Sequence, residues 1–125
     1  MAKILIINPN QQHAIDLKFL LALNGYQTEV CVTLEEGINR FQIFQHLDNR
    51  FDLVLLVADG DLLTKLDAFE DDPFSGRLMV IDEGRRLKQG ANLALWGIPI
   101  CEPRLAIDCV KYRIEESEKT ILRSS

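Results

Sequence analysis

The side chains of this 125-residue chain that could do chemistry gather where its aliphatic runs end. Asn8 and Pro9 close the run Lys3-Ile4-Leu5-Ile6-Ile7, Val57 and Asp59 close the run that starts at Asp52, and Asp82 and Glu83 follow Leu78-Met79-Val80-Ile81. Short runs apolar at every position are strands covered on both faces, which means a parallel sheet flanked by helices. Such sheets bind ligands in the crevice beyond the carboxyl ends of their strands. Asn8, Asn10, Val57, Asp59 and Asp82 outline that crevice as a candidate small-ligand site. Asp59, Asp82 and Glu83 could hold a divalent cation there through carboxylate oxygens. Solvated turn carboxylates are the simpler reading, with Asp59 and Asp61 capping the helix that follows.

Other chemistries find less support. The first loop, Asn8-Pro9-Asn10-Gln11-Gln12, has no glycine, so it forms neither a phosphate-cradling loop nor a dinucleotide-binding turn. His13 and His46 fall in different helices without a Cys or Asp pattern beside them and read as surface positions rather than as a base or metal ligand. Ser75 lacks the glycine context of a nucleophile elbow. Cys31, Cys101 and Cys109 are an odd set without CxxC spacing and read as reduced, mostly buried thiols. Trp96 and Tyr112 suit core or helix-face positions better than a base-stacking platform.

The elements that must position these residues alternate along the chain. A strand over 3–7 leads through Asn10, a helix cap, into a helix over 11–24. Its apolar positions Ala14, Leu17, Leu20 and Leu21, with Phe19 as a further candidate, recur at helical spacing before Asn24-Gly25. A second strand covers 28–32. Thr33-Leu34-Glu35-Glu36 is a capping box opening a helix that carries Ile38, Phe41, Phe44 and Leu47. Strands are predicted over 52–57, 78–81 and 93–96. A third helix carries Leu62, Leu63, Leu66 and Phe69, at most a turn or two of a fourth lies near Arg85 to Gln89, and a last helix starts near Pro103 and runs through Ala106, Val110 and Ile114. The expected fold is α/β, flavodoxin-like: a three-layer sandwich on a five-stranded parallel sheet of order 2-1-3-4-5, in one domain over 1–125 with the fourth helix shortened.

Asp52-Leu53-Val54-Leu55-Leu56, ending at Val57, resembles the central strand of bacterial response-regulator receiver domains. Ile4-Leu5-Ile6-Ile7, the Gly25-Tyr26 turn, Gly90-Ala91-Asn92 and Pro99 add to the likeness, which covers nearly the whole chain. The resemblance implies five side chains for phosphoryl transfer: two acids after the first strand and an acceptor aspartate, which together hold Mg²⁺, then a hydroxyl after strand four and a lysine after strand five. Here the acids fall on Asn8 and Pro9, the acceptor on Val57, the hydroxyl on Asp82 or Glu83, and the lysine on Gly97 or Ile98. All five positions are altered, so the chain is identified as a degenerate, pseudo-receiver member of that family. It is expected to have no enzymatic activity and no cofactor, and Mg²⁺ binding is not expected. A receiver phosphorylated instead at Asp59 is the alternative within the same likeness.

Charge and length bound the remaining roles. A net charge of -5 and a pI near 5.0 argue against a nucleic-acid binder. No apolar run approaches the ~20 residues needed to cross a bilayer, so the chain is expected in the cytoplasm. What is left is a protein-protein interaction module in bacterial signal transduction, docking a protein partner or a second copy. The shortened segment before the last helix is the expected interface, with Leu95, Trp96 and Ile98 as apolar anchors and Arg85, Arg86 and Lys88 as the charged rim.

Overall fold

The computed structural model describes residues 2–45, 50–57, 64–81 and 96–124, with side chains through residue 116. Five parallel strands lie in the order β2-β1-β3-β4-β5: β1 (Lys3–Ile7), β2 (Gln27–Cys31), β3 (Leu53–Val57), β4 (Leu78–Ile81) and β5 (Ile100–Cys101). Beside them lie α1 (Gln11–Leu23), α2 (Leu34–Phe44) and α3 (Ala106–Ser124), with a turn of 3₁₀ helix over Pro103–Leu105 and helical residues at 64–66, within the helix expected around Leu66. The topology is the flavodoxin-like order expected from the sequence.

Because successive side chains of a strand point to opposite faces, the aliphatic runs of β1, β3 and β4 feed two cores at once. Ile4, Ile6, Leu53, Leu55, Val57, Met79 and Ile81 pack under Ala14, Leu17 and Leu21 of α1 and Ala106, Val110 and Ile114 of α3. Leu5, Ile7, Val54, Leu56, Leu78 and Val80 face the other way, against Leu34 and Phe41 of α2 with Phe51, Leu66 and Phe74. Edge-to-face rings knit that second layer, with centroids 5.5 Å apart for Phe41–Phe74 and 5.6 Å for Phe44–Phe51.

Both well-defined helix starts are set by side chains. Asn10 Oδ1 accepts from the His13 amide at 3.1 Å, and Thr33 Oγ1 accepts from the Glu36 amide at 3.2 Å. Gly25, at φ +88°, takes the left-handed conformation that ends α1.

Several expectations are corrected. The second strand starts at Gln27, one residue early, because it pairs with Lys3, and Val32 is left exposed beyond it. Phe19 and Leu20 do not join the core. Phe19 is 63% exposed, and with Ile15 and Leu23 it forms a solvent-facing apolar stripe at i, i+4 and i+8, opposite the buried Ala14, Leu17 and Leu21. Trp96 does not end a strand; it lies in a turn with Gly97, whose φ of +67° suits glycine alone. The fifth strand is the pair Ile100–Cys101, aligned with Val80 and Ile81. Pro99 has no amide hydrogen but its carbonyl accepts from Val80 N at 3.0 Å, so it can lead directly into this edge strand. Residues 93–95 and the short helix expected near 85–89 lie outside the described residues.

The cysteines are corrected too. Cys101 and Cys109 are joined in a disulfide, with Cα atoms 6.7 Å apart, while Cys31 is free and buried. The cause is register: with β5 ending at Cys101, the turn of 3₁₀ helix at Pro103–Leu105 and the start of α3 carry Cys109 back over it.

Gly37, buried on α2, faces the side chain of Ile7, and a Cβ placed there would run into Ile7 Cδ1. Gly37→Ala is expected to lower stability by about 1 kcal/mol, the overpacking cost outweighing alanine's helix preference. Combining it with Ile7→Ala, which removes both Cγ1 and Cδ1, should give favourable coupling in a denaturant-melting cycle; strictly additive losses would refute the clash.

Candidate functional site

The carboxyl ends of β1, β2 and β3 bring Asn8, Cys31 and Val57 to one edge of the sheet. Asn8 is 1% exposed. Burying an amide costs free energy unless both of its ends are hydrogen-bonded, and here both are. Oδ1 accepts from the Asn10 amide at 2.9 Å, an Asx turn that bends the chain from β1 into α1. Nδ2 lies 2.9 Å from His13 Nδ1. With Oδ1 committed to an N–H donor, the Nδ2 end donates and His13 Nδ1 accepts. The Asn8 backbone N also donates to the Cys31 carbonyl at 3.0 Å, tying the corner to β2.

Asn10 spends its side-chain oxygen on the His13 amide and stands exposed as a helix cap. It is not turned toward the Asn8 edge as a free ligand. Pro9 is exposed and offers no side-chain oxygen. His13, read from sequence as a surface position, is instead half-buried and bound to Asn8. The signal was its place three residues after the cap, which turns the ring back toward the end of β1.

Val57 is 3% exposed and belongs to the apolar layer beneath α1 and α3, opposite Ile81. The Cys31 thiol, on β2 and in the opposite core layer, is pushed up from its ordinary pKa by burial first and by the Glu36 charge next, so it stays a protonated core group rather than a nucleophile. Near the edge, Lys65 Nζ lies 3.0 Å from Glu35 Oε1. The Glu35 carboxyl is held below the usual range by a hydrogen bond at its own amide and then by Lys65, but both groups are exposed and the pair contributes little to stability.

The corrected β5 moves the remaining position. The residue that follows strand five is Glu102, not Gly97 or Ile98, and the proline after it is Pro103, not Pro99. A carboxylate therefore stands where the receiver pattern has a lysine. Glu102 is exposed, and its Oε2 accepts from Arg104 Nε at 3.0 Å. Ile98 is 9% exposed and packs in the core, and Trp96 is half-buried against the same cluster, so neither is a free interface anchor. Asp59, Asp82, Glu83, Arg85, Arg86, Lys88 and Leu95 lie outside the described residues, as does His46. Among the described residues no group of three His, Cys, Asp or Glu side chains is placed to hold a metal ion. Nor is any described helix long and apolar enough to cross a membrane.

Neither a protein-family model nor a curated protein sequence matches this chain. Solved structures do. A response regulator receiver domain protein from Clostridium thermocellum superposes with a TM-score of 0.70 at 20% identity, covering 98% of this chain and 99% of that one. A CheY-like receiver domain protein from Methanospirillum hungatei gives 0.72 at 20% identity, over 96% and 98%. The response regulator TrrA from Thermotoga maritima, solved in complex with Mg(2+)-BeF, gives 0.66 at 15% identity, over 93% and 98%. The fold is therefore the receiver fold, matched over nearly its full length. At these identities the likeness speaks for the fold, and the chemistry rests on the side chains described above.

Val57→Asp alone should not create a phosphorylation site. Its carboxylate would enter an apolar layer beside an amide already committed to Asn10 and His13, with Glu102 after β5. Stability should fall by about 1–3 kcal/mol, and incubation with radiolabelled acetyl phosphate should leave the variant unlabelled. Stoichiometric labelling would mean that the edge is open to Mg²⁺ and phosphate after all.

Proposed function

We propose that this chain is a phosphorylation-independent pseudo-receiver, without enzymatic activity, that works in bacterial cytoplasmic signal transduction by binding protein. The observation that carries the reading is the closed carboxyl edge of the sheet. Valine stands at the acceptor position, and the neighbouring Asn8 amide is buried with both ends engaged inside the protein. Phosphoryl transfer needs a cation and an anionic acceptor in that place, and a neutral amide, a proline and a valine supply neither. Mg²⁺ binding at this edge is disfavoured for the same reason. Loss of the chemistry leaves the fold's surfaces as its means of action.

Support for a binding role comes from α1. Ile15, Phe19 and Leu23 are each at least half exposed along one side of the helix, whereas large apolar groups on a monomer are normally scattered singly. The acidic balance of the chain disfavours nucleic acid as the partner. Docking at the segment carrying Arg85, Arg86, Lys88 and Leu95, and phosphorylation at Asp59, stand as the competing readings. The small-ligand reading is weakened where it used Asn8, Asn10 and Val57, because those groups are committed to internal contacts.

Complementation of a deletion strain in the native host separates the alternatives. Asp59→Asn is expected to complement as fully as the wild type. Phe19→Glu with Leu23→Glu should abolish complementation while leaving the melting temperature unchanged within a few degrees. Failure of Asp59→Asn would favour phosphotransfer. Full activity of the α1 double variant, with loss in Arg85→Glu/Arg86→Glu, would move the docking surface to the segment before the last helix.

A further inference from the structure

We infer that Cys101 and Cys109 form a reversible thiol-disulfide switch in the wall of a cavity between β5 and α3. The cavity is a cleft open to solvent of about 310 Å³, and its lining is predominantly apolar, with Met79, Ile100, Leu105 and Tyr112 beside the two cysteines. The inference is independent of the binding role proposed above.

Three features favour a switch over a permanent staple. The first is that α3 is docked without the disulfide. Ala106, Val110 and Ile114 are all buried against Met79, Ile81 and Val57, so opening the bond leaves the helix on the sheet. The second is loop length. The cysteines are 8 residues apart, and a cross-link that stabilises by restricting the unfolded chain gains least when the loop it closes is short. The third is access. Cys109 is half-buried and lines the cavity, where a small thiol can reach it, whereas Cys31 is 1% exposed under α2.

The surroundings accommodate the reduced state as well. Cys101 Sγ lies 3.3 Å from the Glu102 carbonyl oxygen, which can accept the thiol hydrogen once the bond is open. Arg113 and Asp108 also line the cleft, so charged groups of both signs border the two sulfurs' wall. In a reducing compartment a bond of this kind forms transiently and acts as a sensor rather than as scaffolding.

The chemistry is thiol-disulfide exchange with a small disulfide such as oxidised glutathione. The Cys109 thiolate attacks one glutathione sulfur and expels the other glutathione as thiolate, leaving a mixed disulfide. Cys101, its proton passed to solvent, then attacks Cys109 Sγ and expels the second glutathione. Two protein thiols are oxidised to one disulfide while one glutathione disulfide is reduced to two thiols, and excess glutathione runs the steps backward.

The test uses the full chain equilibrated in glutathione buffers of varied ratio, quenched with maleimide and read by intact mass. The oxidised protein should take up no label natively, the reduced protein should take up label at Cys101 and Cys109, and Cys31 should react only after unfolding. Amide shifts between the two states should centre on Met79, Ile100, Leu105 and Tyr112 and reverse fully. Cys109→Ser should stay folded and show none of these shifts. Labelling of both thiols at every ratio, arrest at the glutathione adduct, or a bond that resists reduction until the protein unfolds would each overturn the inference.

Discussion

A parallel sheet has to be buried on both faces, and the rest of this structure follows from that constraint. β1, β3 and β4 carry aliphatic side chains at every described position but Lys3, so helices must cover both sides and the strand ends become the places where polar chain enters an apolar interior. At the end of β1 that transition is made by Asn8, one of only two polar or charged side chains that are buried among the described residues; the other is Lys3. An amide in such a place has to find partners at both ends. Asn10 and His13 provide them, and in doing so they set the bend into α1 and the cap of that helix.

The same constraint bears on which charges the described part of this edge can carry. In the receiver pattern, carboxylates at these positions are neutralised by a bound cation. Without the cation, each would be an unpaired charge at a desolvated strand end, which is costly. An asparagine held by internal partners, next to a valine that joins the apolar layer, brings no such charge. The described residue following β5 adds a carboxylate instead of a cation, and Arg104 already engages it. Among the described residues, the polar groups at the end of β1 thus have their partners inside the protein.

How much of this was legible in the sequence depended on the length and uniqueness of each signal. β1, β3 and β4 were plain because each is a continuous aliphatic run with no equally good neighbour. The caps at Asn10 and Thr33 were plain because their partners lie three residues away. β5 was missed because Leu93-Ala94-Leu95-Trp96 is as apolar as Ile98-Pro99-Ile100-Cys101, and the proline argued against the strand that in fact forms at the sheet's edge. That single slip hid both Glu102 and the Cys101–Cys109 pair, since their positions depend on where β5 ends. The exposed side of α1 was hidden for another reason. With Ala14, Leu17 and Leu21 on one face and Ile15, Phe19 and Leu23 on another, the helix is apolar most of the way round, and spacing cannot say which face is covered. His13 was misread because its partner, Asn8, was counted as a vacant ligand position rather than as a buried group needing a hydrogen bond.

The central claim, that the carboxyl edge is closed by its own side chains, is tested most directly by titrating the isotopically labelled protein with Mg²⁺ and beryllofluoride and following its amide spectrum. The account predicts that the backbone resonances of Asn8, Asn10, His13 and Val57, and the Asn8 side-chain amide, stay where they are through millimolar Mg²⁺. Saturable shifts of those resonances at sub-millimolar Mg²⁺ would contradict it, because they would require Asn8 to give up its internal partners for a metal and a phosphoryl mimic.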